Sequence, residues 1–152
     1  FDFREFPIQK GDLAEFYKHG AWPDPLDDGR FRRLRNKCLD ALAKERALMV
    51  CPLYGGGIFE QPARIMPMTE WFTGIGYDPK FSEVVLHKMF ELYYQTTVRM
   101  LEKIGDLLDI YVYWDDLSGQ DRPLVSPAWY QKYLHPHSFF VHLVYFFHIN
   151  HN

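Results

Sequence analysis

Cysteine is nearly absent from this chain: Cys38 and Cys51 are the only two in 152 residues. No Cys-x-x-Cys pair exists, so neither a cysteine-built structural zinc site nor a redox dithiol is available. A chain this poor in cysteine suits a reducing, cytoplasmic setting. Long apolar runs are missing too. The longest, Phe139 to Ile149, is broken by His142 and His148 and falls well short of the roughly 20 residues of a membrane helix, so neither a transmembrane span nor a membrane partner is expected. The first residue is Phe1, and no charged start followed by an apolar stretch marks a signal peptide; the chain reads as a piece of something longer. Charge of one sign is also lacking, with 17 basic residues against 20 acidic and a formal net charge of -3. That balance offers no general attraction to phosphate backbones. The one basic run, Arg30-Phe-Arg-Arg-Leu-Arg35 with Lys37, is spaced like a solvated helix face, and no nucleic-acid partner is expected. Internal repeats, low-complexity stretches, a phosphate loop, a dinucleotide fingerprint and Gly-x-Ser-x-Gly are all missing.

Apolar and aromatic residues are plentiful. Hydrophobic residues make up 47% of the chain and aromatics 18%, enough for a core and incompatible with intrinsic disorder. From Phe1 to Pro25 the sequence is polar and turn-rich, and Ala21-Trp-Pro-Asp-Pro25 reads as a connecting segment. Beyond Asp27 and Asp28, Phe31, Leu34, Cys38, Leu39 and Leu42 recur at helical spacing, predicting a helix to Arg46. Ala47 to Tyr54 is an apolar run that ends at Gly55, Gly56 and Gly57, as a buried strand running into a tight loop would. A second helix is expected near Ile58. Asp78-Pro79 is a helix start, because Asp78 can accept from free amides and Pro79 loses nothing by lacking an N–H. Phe81, Val85, Met89, Leu92, Thr96, Met100 and Ile104 then repeat at three or four, predicting a helix that runs to about Lys103 and stops near Gly105. Leu107 to Trp114 reads as another strand, and Ser126-Pro127 opens a further helix. Phe139 to Phe147 would be a third strand. The alternation predicts a parallel α/β fold.

In such folds ligands bind where strands end. Two places qualify. At Gly56 and Gly57 the backbone can approach a ligand closely and Glu60 can face the cleft, although a sharp strand-to-helix turn would use the same glycines. After the second strand come Asp115 and Asp116, whose mutual repulsion would let one hold a proton while the other stays charged. Gln120 and Arg122 could orient a substrate carboxylate there. The competing reading has Asp115 capping a loop and Asp121 pairing with Arg122 at the surface. His135, His137, His142, His148 and His151 crowd the end of the chain and invite a zinc site, but no cysteine accompanies them, and single histidines among aromatics more often pack or reach a carbonyl.

The stretch from Phe81 through Asp115-Asp116-Leu-Ser-Gly-Gln120 and Pro123-Leu-Val-Ser-Pro127 resembles the uroporphyrinogen decarboxylase superfamily, which includes cobalamin-dependent methyltransferases. Ala21 to Pro25 and Gly55 to Glu60 resemble upstream blocks of its divergent branch, so the likeness covers Trp22 to about His137. It implies part of a TIM-type (β/α)8 barrel, incomplete at both ends, over residues 1–137, followed by an aberrant tail over 138–152. It further implies a decarboxylase-like domain acting in the cytoplasm on a carboxylated tetrapyrrole or related small molecule, with Asp115 and Asp116 as the strand-end acids. Gly56, Gly57, Glu60, Gln120 and Arg122 would line the substrate cleft, and the decarboxylase chemistry requires no cofactor. Departures are visible: Gln61-Pro-Ala-Arg64 lacks the decarboxylase tyrosine, and Asp116 stands where a serine or threonine is usual. Both lean toward the methyltransferase-like branch, in which zinc activates a thiol beside a corrinoid. There His148 would be the metal candidate, but Asn150 occupies the position of the accompanying cysteine. The third expectation is a non-catalytic truncated fragment, or a product that folds only by pairing with another chain, a homo-oligomer being one form of that.

Overall fold

The computed structural model describes residues 6–19, 22–51 and 56–138. In chain order its elements are α1 (Leu13–Lys18), α2 (Leu34–Leu42), β1 (Met49–Val50), α3 (Pro62–Ile65), α4 (Met68–Tyr77), α5 (Pro79–Ile104), β2 (Ile110–Tyr111) and α6 (Pro127–Trp129). Single 3-10 turns at Asp28–Arg30 and Gly105–Leu107 precede α2 and follow α5. After α6 the helix widens over Tyr130–Leu134, where the His135 N–H reaches back to the Tyr130 carbonyl. That five-residue step is a π-helical turn.

The scaffold is α5. Asp78 accepts from the Lys80 N–H at 3.0 Å and Pro79 occupies the first turn, so the start follows the expected capping logic. With 26 residues it spans about 39 Å, long enough to serve two cores. Toward its N-terminus Phe81, Val85, Leu86, Met89, Leu92 and Tyr93 pack with Ile8, Phe16, Ile58, Phe59, Met66, Trp71 and Leu134. Toward its C-terminus Met100, Leu101 and Ile104 close on Phe31 and Cys38. Each fully buried apolar side chain of this size contributes about 1.5–3 kcal/mol, so the stripe along α5 holds the surrounding elements in place.

The two strands are parallel and in register at Met49↔Ile110 and Val50↔Tyr111, with α3, α4 and α5 forming the crossover between them. Asp109 secures the entry to the pair by accepting from the Leu48 N–H at 2.7 Å, and Val112 N–H donates to the Val50 carbonyl at 2.8 Å. Leu48, Val50 and Tyr111 lean on the C-terminal core. Met49 and Ile110 stay 61% and 51% exposed.

This arrangement corrects the expected partial (β/α)8 barrel over 1–137. The described residues are dominated by helix and contain one sheet of two short strands. Among the described residues the expected strands at 47–54 and 107–114 are paired only at Met49–Val50 and Ile110–Tyr111, each with the other as its one hydrogen-bonding neighbour there; 52–55 lie outside the described residues. Apolar residues that looked like strand interior are used differently: Tyr113 packs edge-on against Tyr93 of α5 with ring centroids 6.2 Å apart. The expected helix to Arg46 ends at Leu42, and the connecting segment carries α1, capped by Asp12 on the Glu15 N–H. The third strand, His148 and nearly all of the 138–152 tail lie outside the described residues. No helix among the described residues is long and apolar enough to cross a membrane.

The junction of α4 and α5 makes a direct test. Gly74 is buried in α4, where an added Cβ would fall on the ring of the fully buried Phe81 and 3.1 Å from the Gly11 carbonyl oxygen. Gly74→Ala is expected to destabilise by about 1–3 kcal/mol through overpacking. At Gly76, in the same helix, a Cβ meets open space, and Gly76→Ala should stabilise by up to about 1 kcal/mol through helix propensity. Urea unfolding of both variants checks the pair, and equal effects would refute the packing.

Candidate functional site

Parallel strands end on the same side of a sheet, so the segments that follow β1 and β2 meet. Residues 56–60 and 113–115 do so. The Asp115 carboxylate accepts from the backbone N–H of Phe59 through Oδ2 at 2.7 Å and from that of Glu60 through Oδ1 at 2.9 Å. The Tyr113 hydroxyl donates to Oδ2 at 3.3 Å and accepts from the Ile58 N–H at the same distance. Three consecutive amides of one turn are thereby tied to the end of the other strand. A carboxylate offers about four acceptor positions; the described residues fill three of them, two on Oδ2 and one on Oδ1.

The glycines make this approach feasible. A Cβ on Gly57 would coincide with the Asp115 carboxyl, and one on Gly56 would coincide with the Glu60 carboxyl. Gly56 also has φ +91°, a conformation that side-chain-bearing residues rarely adopt. Glu60, against Gly56, is paired with Arg64 at 2.8 Å, one helical turn away.

Burial pushes the Asp115 carboxyl up to about 6, against the opposing pull of the Phe59 and Glu60 amides and the Tyr113 hydroxyl. Desolvation therefore outweighs hydrogen bonding to the charged form. Burial, then the nearby Asp115 charge, also holds Tyr113 above the usual phenol range. Tyr93, behind it, is raised first by burial and then by Tyr113 and Asp115. The result is a proton-holding group near neutrality with two protonated phenols beside it.

Of the expected residues, Gly56, Gly57, Glu60 and Asp115 come together. Asp116 and Gln120 are exposed in the following loop, a small hairpin closed by Gly119 N–H to the Arg122 carbonyl and Leu124 N–H to the Leu117 carbonyl, both at 2.9 Å. Arg122 lines a different hollow, with Phe72, Ile75 and Trp129. Tyr113 and Tyr93 were not among the expected residues. Tyr113 stands two positions before Asp115, hence on the same face of an extended strand, and that spacing was the available signal. Tyr93 also lines a hollow of about 410 Å³ with Gln61, Met89, His19 and Trp22.

A histidine metal site finds no support in the described part. His137 packs on Phe90 at 4.9 Å and lies 6.1 Å from His87, ring centre to ring centre, and burial, then His87, lowers its affinity for protons. His135 meets Tyr130 edge-on. Among the described residues no three metal-binding side chains converge; His142, His148 and His151 lie outside them.

A pH dependence follows from the carboxyl's position. Folded Asp115 titrates near about 6 against an ordinary value of 3.8, so between those values the folded chain holds a proton that the unfolded chain has released. Its contribution to stability falls as pH rises from about 4 to about 6, by about 3 kcal/mol, and is level above. Asp115→Asn cannot ionise and lacks this fall. Urea unfolding of both proteins across that window is the measurement, and parallel curves would refute the assignment.

Comparison with known proteins brings no relative to this site: no family model, no curated protein and no solved structure matches the chain.

Proposed function

We propose that the chain carries the acid-bearing strand end of a small-molecule enzyme of the uroporphyrinogen decarboxylase type, acting on a carboxylated tetrapyrrole or related substrate. The observation that supports this reading is Asp115 itself: a carboxyl just past the end of β2, pushed up to about 6 and tied to the turn that follows β1. In decarboxylation of a pyrrole acetate, a ring carbon takes a proton and the ring becomes a cation, carbon dioxide leaves as its bonding electrons return to the ring, and the methylene left behind takes a proton to become methyl as the ring carbon gives its own up. A carboxylate fixed nearby stabilises that cation, and fixed dipoles and charges of this kind are among the largest contributions to catalysis. The fourth acceptor position of the carboxylate suits a ring N–H. Tyr93 packs on Tyr113 and also lines the 410 Å³ hollow, whose lining does not include Asp115.

The turn-capping reading of Asp115 is compatible with this role, since the same amides that hold the turn fix the acid. The zinc-dependent methyl-transfer reading rests on His148 and has no described residue to support it.

Carbon dioxide release from uroporphyrinogen is the test, with Asp115→Asn as the variant and near-ultraviolet circular dichroism as the folding control. Loss of about 100-fold or more in turnover, as removal of a positioned acid typically gives, is expected, together with loss of a rate inflection near pH 6. Unchanged turnover in a folded variant, or no release by the parent chain, would overturn the reading.

A further inference from the structure

The basic run from Arg30 to Lys37, expected as a solvated helix face, is divided by the fold. Arg35 turns to α5, where its guanidinium forms a two-pronged ion pair with Asp106 at 2.6 and 2.7 Å and also donates to the Lys103 carbonyl. The other four cations do not follow it. Arg30, Arg32, Arg33 and Lys37, with Gly29 and Leu34, line a hollow of about 400 Å³ at the entry to α2.

Nothing acidic among the described residues shares that lining. Of the adjacent aspartates, Asp28 turns away to hold Arg99 at 2.6 Å and Lys103 at 3.6 Å, and Asp27 accepts from the N–H of Gly29 at the edge of the hollow, so a single carboxylate stands beside the four cations. Arg30 directs its Nε to the Asp24 carbonyl, leaving its terminal nitrogens available. Arg32, Arg33 and Lys37 form no ion pair among the described residues. The concentration of charge is local, because outside this run acids outnumber bases by 20 to 12. Four cations around one hollow repel one another, and a bound anion would relieve that repulsion.

We propose that this hollow binds a small molecule carrying two or more phosphate groups. Guanidinium forks match pairs of phosphate oxygens in a plane, and lysine adds a point charge. A single phosphate can be shared by more than one guanidinium, but linked phosphates carry more charge and more oxygens over a longer span and so match four cations around one hollow more fully. The volume fits a ligand of nucleotide size or smaller. A nucleic-acid strand or an anionic membrane would instead need a basic track or face extending beyond residues 29–37, and the surrounding excess of acid works against both.

The test is calorimetric titration of the whole chain with inorganic pyrophosphate, set beside inorganic phosphate. Pyrophosphate is expected to bind at one site, more tightly than phosphate, and more weakly as salt rises. The triple variant Arg32→Gln, Arg33→Gln, Lys37→Gln should bind about tenfold more weakly or worse. A control with the same charge loss, Lys44→Gln, Arg46→Gln, Lys80→Gln, removes three exposed cations that lie elsewhere and should bind like the parent. All six positions are exposed, so both variants are expected to keep the parent's circular dichroism. Absence of pyrophosphate binding, equal affinity for phosphate, or equal weakening in both variants would overturn the proposal. So would tight binding of a single-stranded oligonucleotide or a phosphatidylserine vesicle that pyrophosphate does not displace.

Discussion

Parallel pairing of two short strands governs the rest of this molecule. Because β1 and β2 run in the same direction, the segments leaving them emerge at one edge, and a carboxylate on one can reach the amides of the other. Antiparallel pairing would have sent 56–60 and 113–115 to opposite ends of the sheet. The same geometry requires a long crossover, since a parallel pair cannot be joined by a tight turn. That crossover is α3, α4 and α5, and it holds most of the buried apolar side chains. Strand direction, core and candidate site are consequences of one connection.

The small size of the sheet follows from what surrounds it. A parallel sheet is stable when both faces are covered, and here the inner face rests on the α5 core while Met49 and Ile110 remain on the outside. Among the described residues only two of each strand pair. Side-chain hydrogen bonds at either end compensate, Asp109 holding the Leu48 amide before the pair and Asp115 holding the Phe59 and Glu60 amides after it. The ladder is short, and two aspartates extend its effect by about one turn on each side.

Much of this could be read from the residues, and the failures are specific. Asp78-Pro79 and the apolar repeat from Phe81 to Ile104 defined α5 nearly to the residue, because capping and helical period are local properties. Strand length was overestimated because Val112, Tyr113 and Trp114 have strand-like side chains, whereas pairing depends on a neighbouring backbone that composition does not reveal. The helix at Leu13 has an N-terminal capping signature in Asp12 and Glu15, but the polar, turn-rich residues around it read as a connection. At the site, the two loops were brought together by the rule for parallel strands, and Gly56, Gly57, Glu60 and Asp115 followed. Arg122 did not, because a hairpin between Leu117 and Leu124 turns it toward Phe72 and Trp129. No local pattern specifies the direction of such a turn.

The remaining question is how Asp115 can be both a structural clasp and a group that exchanges protons. Hydrogen bonds from two amides and a phenol would alone hold a carboxylate ionised far below neutrality. Burial acts in the opposite sense and is the stronger influence, leaving the group near about 6. The balance depends on dryness as much as on the hydrogen bonds, because admitting water would lower the desolvation penalty while the amides stayed in place. Gly56 and Gly57 matter on that account: both are buried, and their lack of side chains lets the turn close directly over the two carboxyl groups. A larger residue would hold the turn away, hydrate the acid and restore an ordinary carboxylate. The clasp therefore creates the acid, since tying the turn to the strand end is what removes the water that would otherwise keep Asp115 charged.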